Sequence, residues 1–396
     1  MKKSVSIIGG GAVALFLAAF LDPQKFEVTM YEQNKTLGRK FLVAGKGGFN
    51  LTHSEPIELL TERYTPTSFL KEPLRCFSNV DFQKWLDSIG IPTYIGSSRR
   101  IYPEKGIKPI AVLNAILKVL KKQHVHIKYE HTWTGWNSDN ELLFNTDITT
   151  LSDYTIFALG GSSWKITGSD GNWLKLFKKQ GVDIAPFQAS NCGYSVDWNS
   201  SFIKKHEGSP LKNIAITCSD NRQKGEVVIT RFGLEGNAIY AVSPQLRKAL
   251  NNKKKATIFM DLKPNLSADE VQKKIEKSTL RNTTEIIRKE LKLSLAQIGL
   301  LKTLISKDSF LDPGLLAQNI KSLPLEITDF AALDEAISTV GGISLNAVDQ
   351  HYQLKKLSTH YCIGEMLDWD APTGGYLLQA CASMGVHLAK HLNKTS

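Results

Sequence analysis

The chain has 396 residues, of which 42% are hydrophobic and 22% charged, a composition typical of a globular protein with two or three domains. No apolar run reaches the roughly 18 residues of a membrane span, and glycines interrupt the N-terminal apolar stretch as they would not in a secretory signal. The five cysteines are scattered, without a C-x-x-C pair or metal-ligand spacing. We therefore expect a cytoplasmic protein with free thiols, no bound metal and no membrane segment.

The formal net charge of +11 suggests nucleic acid or a membrane surface as a partner, since phosphate binding scales with clustered Lys and Arg. The clusters are modest, however. Lys248 with residues 253–255, and then Lys273, Lys274 and Lys277, lie in predicted turns or solvated helix faces without interleaved aromatic residues. A solvated surface is the favoured interpretation and nucleic acid the less favoured one. The charge would also suit an anionic substrate or cofactor.

The first 32 residues predict a strand, a glycine turn, a helix and a second strand. In the spacing Gly9-x-Gly11-x-x-Ala14, Gly9 would form the tight turn, Gly11 would leave room for a pyrophosphate, and Ala14 would let the helix pack closely on the strand. The second strand ends at Glu32, where this fold places an acid that hydrogen-bonds a ribose hydroxyl. Three glycines alone could be a plain turn, but strand, helix and acid in register predict a dinucleotide site.

Two polar segments follow. Residues 34–53 combine many glycines with the cations Arg39 and Lys40, which favours a backbone that wraps a polar ligand over a flexible surface loop. Residues 81–120 have a helical pattern, interrupted by the basic and aromatic residues 97–103. That interruption is equally compatible with a substrate-cavity wall and with a surface loop.

Residues 153–161 predict a buried parallel strand that ends in glycines at the nucleotide site, followed by another ligand-binding loop at residues 162–171. No second glycine motif with a following acid occurs, so we expect no second dedicated dinucleotide site. From about residue 187 to 262, short alternating strands predict an antiparallel sheet or barrel. From Ser267, which begins a capping box with Glu270, the pattern becomes helical.

The C-terminal segment repeats the order of strand, glycine turn and helix. Its strand reaches Gly364 and Glu365, and Gly374 and Gly375 precede a helix rich in small residues. Because this segment lies hundreds of residues from the first glycine turn, we expect the two turns to hold opposite ends of one long cofactor.

Together these motifs resemble flavoproteins with the glutathione-reductase type of FAD domain, and more narrowly the BaiN/RdsA-type NAD(P)/FAD-dependent oxidoreductase family. The segments that carry the narrower resemblance are residues 37–40, 45–52, 158–164, 339–342 and 373–376. The resemblance runs along essentially the whole chain. It departs from the family pattern at Phe49, where many relatives have Cys, and at Leu377, where many have Asn.

The resemblance implies an α/β fold with a Rossmann-like FAD-binding domain that is discontinuous in sequence. We expect this domain to comprise residues 1–187 and 339–396. An inserted β-barrel-like domain would comprise residues 188–264 and 322–338, with a helical subdomain at residues 265–321.

The same resemblance and the motifs above supply the candidate site residues. For FAD they are Gly9, Gly11, Ala14, Glu32, Gly38, Arg39, Lys40, Gly47, Asn50, Trp133, Ala158, Gly160, Gly364, Glu365, Gly374, Gly375 and Tyr376. For the substrate they are Arg99, Arg100, Tyr102, Ser162, Trp164 and Lys165. No catalytic acid is identified, although Tyr102, Tyr376 and Ser162 are candidates.

The expected activity is transfer of hydride from a transiently bound NADH or NADPH through FAD to a small unsaturated or carbonyl substrate. We expect that substrate to bind between the inserted lobe and the flavin. Two alternatives stay open. One is a nucleic-acid-associated flavoprotein similar to tRNA-modifying enzymes, and the other is a flavin-binding redox sensor without turnover.

Overall fold

The structure is a computed structural model that describes residues 1–43 and 48–396, and in it the chain divides into two compact units. The first unit comprises Met1–Gln188 and Leu333–Ser396, and the second comprises Ala189–Ala332. Residues 265–321, predicted as a helical subdomain, fall within the second unit; the three predicted domain ranges stay predictions. Within the described residues no helix is both long and apolar enough to cross a membrane.

The strands occur in both units and are interspersed with helices. In chain order they are β1 (Lys3–Ile8), β2 (Phe26–Glu32), β3 (Thr52–His53), β4 (Thr93–Ile95), β5 (Arg100–Pro103), β6 (His126–Tyr129), β7 (Trp133–Trp136), β8 (Leu142–Phe144), β9 (Thr149–Thr150), β10 (Tyr154–Phe157), β11 (Ile184–Ser190), β12 (Tyr194–Ser195), β13 (Pro210–Cys218), β14 (Asn221–Ile229), β15 (Gly233–Glu235), β16 (Ala256–Asp261), β17 (Leu323–Ile327), β18 (Asp329–Phe330), β19 (Ser338–Ile343), β20 (Gln353–Leu354) and β21 (Leu357–Cys362).

The α-helices range from a single turn to the long C-terminal helix. They are α1 (Ala12–Phe20), α2 (Arg39–Val43), α3 (Ile57–Thr61), α4 (Thr67–Cys76), α5 (Asn79–Ser88), α6 (Pro109–Lys122), α7 (Leu174–Lys179), α8 (Ser200–His206), α9 (Asn237–Tyr240), α10 (Ser243–Lys253), α11 (Ala268–Glu276), α12 (Thr283–Lys289), α13 (Leu295–Leu304), α14 (Lys307–Leu311), α15 (Pro313–Lys321) and α16 (Tyr376–Thr395).

The core of the first unit is a six-stranded sheet with the order β20-β21-β10-β1-β2-β6. All of its pairs are parallel except β20 with β21. Ile8 at the end of β1 lies beside Tyr31 of β2 and Phe157 of β10, so these strands end at one edge of the sheet. The glycine turn, Glu32 and the glycines after β10 therefore meet there, as ligand-binding loops do in open parallel sheets. The predicted α/β class with a Rossmann-like sheet is confirmed.

The second unit contains a seven-stranded antiparallel sheet with the order β17-β16-β13-β14-β15-β12-β18. Buried Asp261 at the end of β16 is paired with Arg222 at 2.7 Å and with Lys321 at 2.8 Å. The predicted capping box is present, since the Ser267 hydroxyl accepts the Glu270 N–H and the Glu270 carboxylate accepts the Ser267 N–H. An antiparallel sheet followed by helices is what the change of pattern along the sequence indicated.

Helices α1 and α16 join the two ends of the chain within the first unit. A side chain at Gly385 of α16 would place its Cβ 2.8 Å from the backbone N of Leu17 and 2.8 Å from the carbonyl O of Val13, both in α1. The two helix backbones can approach this closely only because residue 385 has no side chain.

Gly385→Ala should therefore lower the free energy of unfolding by about 1–3 kcal/mol, as overpacked cores do, although alanine favours a helix over glycine by about 1 kcal/mol. Gly314→Ala in α15 is a control, because the nearest atom to its Cβ would be Asp312 Oδ1 at 3.4 Å, an ordinary contact. Denaturant unfolding measures both. A Gly385→Ala protein as stable as the parent would contradict the close approach.

Candidate functional site

A cavity of about 870 Å³ lies where β1, β2 and β10 end in the first unit. Its volume is near the upper end of the roughly 300–1,000 Å³ typical of ligand pockets. The wall combines the glycine turn, the end of β2, the loop after β10, residues of α2, and the first two turns of α16. The cavity is therefore large enough for an extended, dinucleotide-sized ligand.

Three consecutive glycines form the turn after β1, and each has a different reason to lack a side chain. Gly9 has φ 101°, and a Cβ there would lie 2.5 Å from the carbonyl O of Ala158. A Cβ at Gly10 would lie 2.2 Å from Leu37 Cδ2. At Gly11 the nearest atom would be Ala158 O at 4.0 Å, so open space remains at the start of α1. The first two glycines permit the turn, and the third leaves room for a ligand, as predicted for a pyrophosphate.

The start of α1 is left free for an anion. Its cap residue Gly11 offers no side-chain hydrogen bond, and its first turn contains no acidic residue. The unsatisfied backbone N–H groups and the dipole of a helix N-terminus favour a phosphate at such a position. Ala14 is fully buried in this helix and is not part of the cavity wall.

Glu32 ends β2 in the cavity wall with 8% of its surface exposed. One carboxylate oxygen accepts the N–H of Gly10 at 2.9 Å, and the other accepts the backbone and side-chain N–H groups of Asn34 at 2.8 and 2.7 Å. Arg39 in turn donates to Asn34 Oδ1 at 2.9 Å and to the carbonyl of Ile166 at 2.7 Å. The carboxylate is thus held in one orientation, with lone-pair capacity left for a ribose hydroxyl.

A second polar group in the wall joins distant parts of the chain. Lys40 Nζ donates to Glu365 Oε2 at 2.9 Å and to Ser163 Oγ at 2.8 Å, and the N–H of Thr339 donates to Glu365 Oε1 at 3.0 Å. The side chains of Lys40 and Glu365 are 29% and 17% exposed. Motifs from four segments of the sequence therefore meet at this point of the cavity.

The N-terminus of α16 closes another part of the wall. Leu377, Leu378 and Cys381 of this helix line the cavity together with Phe49 and Asn50. With its amide oriented to satisfy both bonds, Asn50 accepts the N–H of Gly375 at 3.0 Å and donates to the carbonyl of Gly48 at 2.8 Å. The first turn of a 20-residue helix, with its positive end of the dipole, therefore borders the cavity.

The structure places most, but not all, of the candidate FAD residues in the cavity wall. Those in the wall are Gly9, Gly11, Glu32, Arg39, Lys40, Asn50, Trp133, Ala158, Gly160 and Glu365. Those outside it are Ala14, Gly38, Gly364, Gly374, Gly375 and Tyr376. Gly47 lies outside the described residues.

The candidates outside the wall have packing roles. A Cβ at Gly364 would lie 2.6 Å from Val13 Cγ1, and one at Gly375 would lie 2.6 Å from the backbone of Thr52. Tyr376 is 7% exposed, and its hydroxyl donates to Glu55 Oε1 at 2.7 Å, so its predicted contact with FAD stays a prediction. The Tyr376 hydroxyl is thus directed to the buried Glu55 carboxylate, and Tyr376 does not line the cavity.

Of the candidate substrate residues, Trp164 lines the cavity, and its backbone adopts the left-handed region with φ 62°. Ser162 is buried and donates to the carbonyl of Asp170 at 3.2 Å, and the backbone N–H of exposed Lys165 donates to Asp334 at 2.6 Å. Neither of these two side chains is part of the wall, and Arg99, Arg100 and Tyr102 are also outside it. These five residues are therefore not part of this cavity wall, and their role in binding substrate stays a prediction.

Several residues of the wall were not predicted from the sequence. Gly10, Asn34 and Trp173 belong to it. Within the described part of the chain, the indole N–H groups of Trp133 and Trp173 are buried without a hydrogen-bond acceptor. Of these residues, only Asn34 could have been found from the sequence. It lies two residues after Glu32, and Asn side chains often form hydrogen bonds with neighbouring residues.

Comparison with known proteins agrees with this geometry. The chain is 25% identical to the 3-dehydro-bile acid delta(4,6)-reductase of Clostridium scindens, and the match covers 95% of each chain. It is 21% identical to a ribosomal RNA dihydrouridine synthase of Haemophilus influenzae, with 94% of each chain covered. The fold is similar to the crystal structure of 3-ketosteroid-delta4-(5alpha)-dehydrogenase from Rhodococcus jostii RHA1, with a TM-score of 0.50 at 10% identity over 98% of this chain and 96% of that one.

A family model described as the HI0933-like protein Rossmann domain matches residues 3–391. Because this match spans nearly the whole chain, the protein belongs to the HI0933-like Rossmann domain family, and the resemblance to BaiN/RdsA-type FAD-dependent oxidoreductases that its motifs indicated is confirmed.

Proposed function

We propose that this protein is an FAD-dependent reductase that takes hydride from NADH or NADPH and delivers it to a carbon–carbon double bond conjugated to a carbonyl group. The observation that carries the proposal is a single cavity that joins an open glycine turn, an oriented Glu32 carboxylate and the N-terminus of α16. The named reactions of the bile acid reductase and the dihydrouridine synthase support it, because both add hydrogen to a double bond conjugated to a carbonyl.

The residues present fit FAD. Gly11 and the free N-terminus of α1 would bind the pyrophosphate, and Glu32 would accept a hydrogen bond from a ribose hydroxyl. The first turn of α16 would face the isoalloxazine end, where its dipole would stabilise negative charge. When bound, FAD supplies the hydride chemistry, and the protein supplies orientation and electrostatics.

One thiol, that of Cys381, is part of the cavity wall. Burial, with a further contribution from the charge of Glu365, raises the pKa of Cys381 to about 12. The thiol is therefore neutral near pH 7, whereas the thiolate is the form that acts as a nucleophile. Its role in the wall is apolar contact with the ligand.

A second candidate function is reduction of an unsaturated base in RNA. The specific observations that favour it are the similarity to ribosomal RNA dihydrouridine synthases and the charge of the second unit, which has 22 Lys or Arg residues and 15 Asp or Glu residues. Phosphate contacts would make such binding fall steeply as salt increases. RNA binding that is insensitive to salt, or absent, would count against this candidate.

Glu32→Ala should weaken FAD binding roughly ten- to a hundredfold, because a hydrogen bond to a charged group contributes about 1.5–3 kcal/mol. Equilibrium dialysis of the flavin measures the effect. Glu27→Ala is the matched control, since Glu27 is an exposed acid on the same strand. If Glu32→Ala retains FAD as the parent does, the ribose role is wrong.

Anaerobic NADH or NADPH should bleach the absorbance of the bound flavin, and an α,β-unsaturated ketone should then restore it. Stopped-flow absorbance follows the two half-reactions separately. Reduction without reoxidation by any member of an enone series, combined with reoxidation by uridine-containing RNA, would favour the second candidate. A flavin that neither nicotinamide reduces would instead support a redox sensor without turnover.

A further inference from the structure

A second polar cluster lies in the first unit, outside the cavity wall. It consists of His53 on β3, Arg100 on β5, Glu55 and Arg63 on either side of α3, and Tyr376 at the start of α16. We refer to these five residues as the His53 cluster. They lie next to the helix turn whose following residues, Leu377 and Leu378, line the cavity.

Glu55 is the buried centre of the His53 cluster, with 4% of its surface exposed. It accepts hydrogen bonds from Arg63 Nε at 3.2 Å, from Arg63 Nη2 at 3.0 Å and from the Tyr376 hydroxyl at 2.7 Å. Burial alone would raise the pKa of Glu55, but the hydrogen bonds from Arg63 and Tyr376 outweigh it and hold the pKa below its ordinary value. Glu55 is therefore ionised, and its charge is balanced by Arg63.

His53 is neutral in this arrangement. Its ring stacks on Tyr376 with centroids 5.2 Å apart, and its Nδ1 accepts the N–H of Glu55 at 3.3 Å. Burial lowers the pKa of His53, and the charges of Arg63 and Arg100 act in the same direction, against the opposing effects of the Glu55 charge and of a hydrogen bond with the Ser98 backbone. A neutral imidazole that accepts at Nδ1 carries its proton on Nε2, and the backbone of Ser98 is a further hydrogen-bond partner of the ring.

Arg100 is the second cation of the His53 cluster, and within the described residues it forms no ion pair with a carboxylate. It pairs with His53 across the antiparallel strands β3 and β5, so the two side chains lie on the same face. A Cβ at Gly374 would lie 3.1 Å from Arg100 Nε, which places the guanidinium against the backbone that leads into α16. Arg100 is half-buried, and among residues 1–43 and 48–396 its guanidinium has neither a hydrogen-bond acceptor nor a carboxylate partner.

We propose that Arg100 binds an oxyanion of the substrate beside the start of α16, next to the residues of that helix that line the cavity. This inference rests on the proposed reductase function for the identity of the ligand as substrate. Guanidinium groups bind carboxylates in a planar, bidentate geometry, and they also stabilise a carbonyl oxygen that gains negative charge as hydride adds. The oxyanion is therefore either a free carboxylate of the substrate or the oxygen of its conjugated carbonyl.

The test uses the FAD-loaded protein and the variants Arg100→Gln, Arg100→Lys and Lys105→Gln. Lys105 is an exposed cation shortly after β5, and its substitution removes the same charge without touching the His53 cluster. FAD absorbance and the thermal unfolding midpoint are recorded for each variant, so that a folding defect is recognised. Arg100→Lys keeps the charge and loses the bidentate geometry, which makes an intermediate effect the expected one.

The first arm titrates acetate against the oxidised protein and follows the flavin spectrum, with neutral acetamide as the comparison. The second arm mixes the anaerobic, reduced protein with 2-cyclohexen-1-one, a neutral enone, and follows flavin reoxidation. If the substrate group is a carboxylate, Arg100→Gln should weaken acetate binding roughly tenfold or more. If it is the carbonyl oxygen, Arg100→Gln should slow reoxidation by cyclohexenone to a similar degree.

In either case Lys105→Gln should behave as the parent. Equal behaviour of the parent and Arg100→Gln in both arms, including no response in either protein, would overturn the proposal. Dithionite reduces the flavin in the second arm, so the arms do not depend on a nicotinamide. Failure of NADH and NADPH to reduce the parent would therefore reject the proposed function while leaving the oxyanion site testable by acetate.

Discussion

The close approach of two backbone segments at the end of the parallel sheet determines the rest of this site. Because β1 pairs with both β2 and β10, the turn after β1 passes directly beside the carbonyl of Ala158, where residue 9 has no room for a side chain. The same turn directs the N–H of Gly10 to the Glu32 carboxylate and leaves space beyond Gly11. The Glu32 carboxylate, the open space at Gly11 and the N-terminus of α1 are thus positioned by one backbone path.

The second constraint is that the site needs both ends of the chain. Strand β21 extends the sheet beside β10, and α16 packs on α1 at a distance that only glycine at position 385 permits. The contact between Lys40 and Glu365 joins the same two parts of the sequence in the cavity wall. The first unit is built from two segments that lie far apart in the sequence. Its cavity therefore needs contacts between these segments, and the same contacts form the core of the unit.

The sequence predicted the backbone requirements of the site better than its side-chain directions. Gly9, Gly11 and Glu32 were predictable because strand ends, a tight turn and a terminal acid leave a local pattern. The direction of the Tyr376 side chain could not be predicted from nearby residues, because it depends on Glu55, a residue 321 positions away. Arg100 was predicted as a substrate residue from its charge alone, and its position is set by pairing of β5 with β3, for which the residues around it give no local signal.

The distribution of charge separates the cofactor site from the proposed substrate site. Arg39 and Lys40, the cations predicted beside the cofactor, are engaged by Asn34, the carbonyl of Ile166 and Glu365. A phosphate in the cavity would therefore rely on backbone N–H groups of α1, whose position does not vary with the ionisation of any side chain. Arg100 has no such protein partner in the described residues, so its charge is left for a ligand that arrives and leaves. This difference matches a resident cofactor bound by fixed dipoles and an exchanging substrate bound by a side-chain charge.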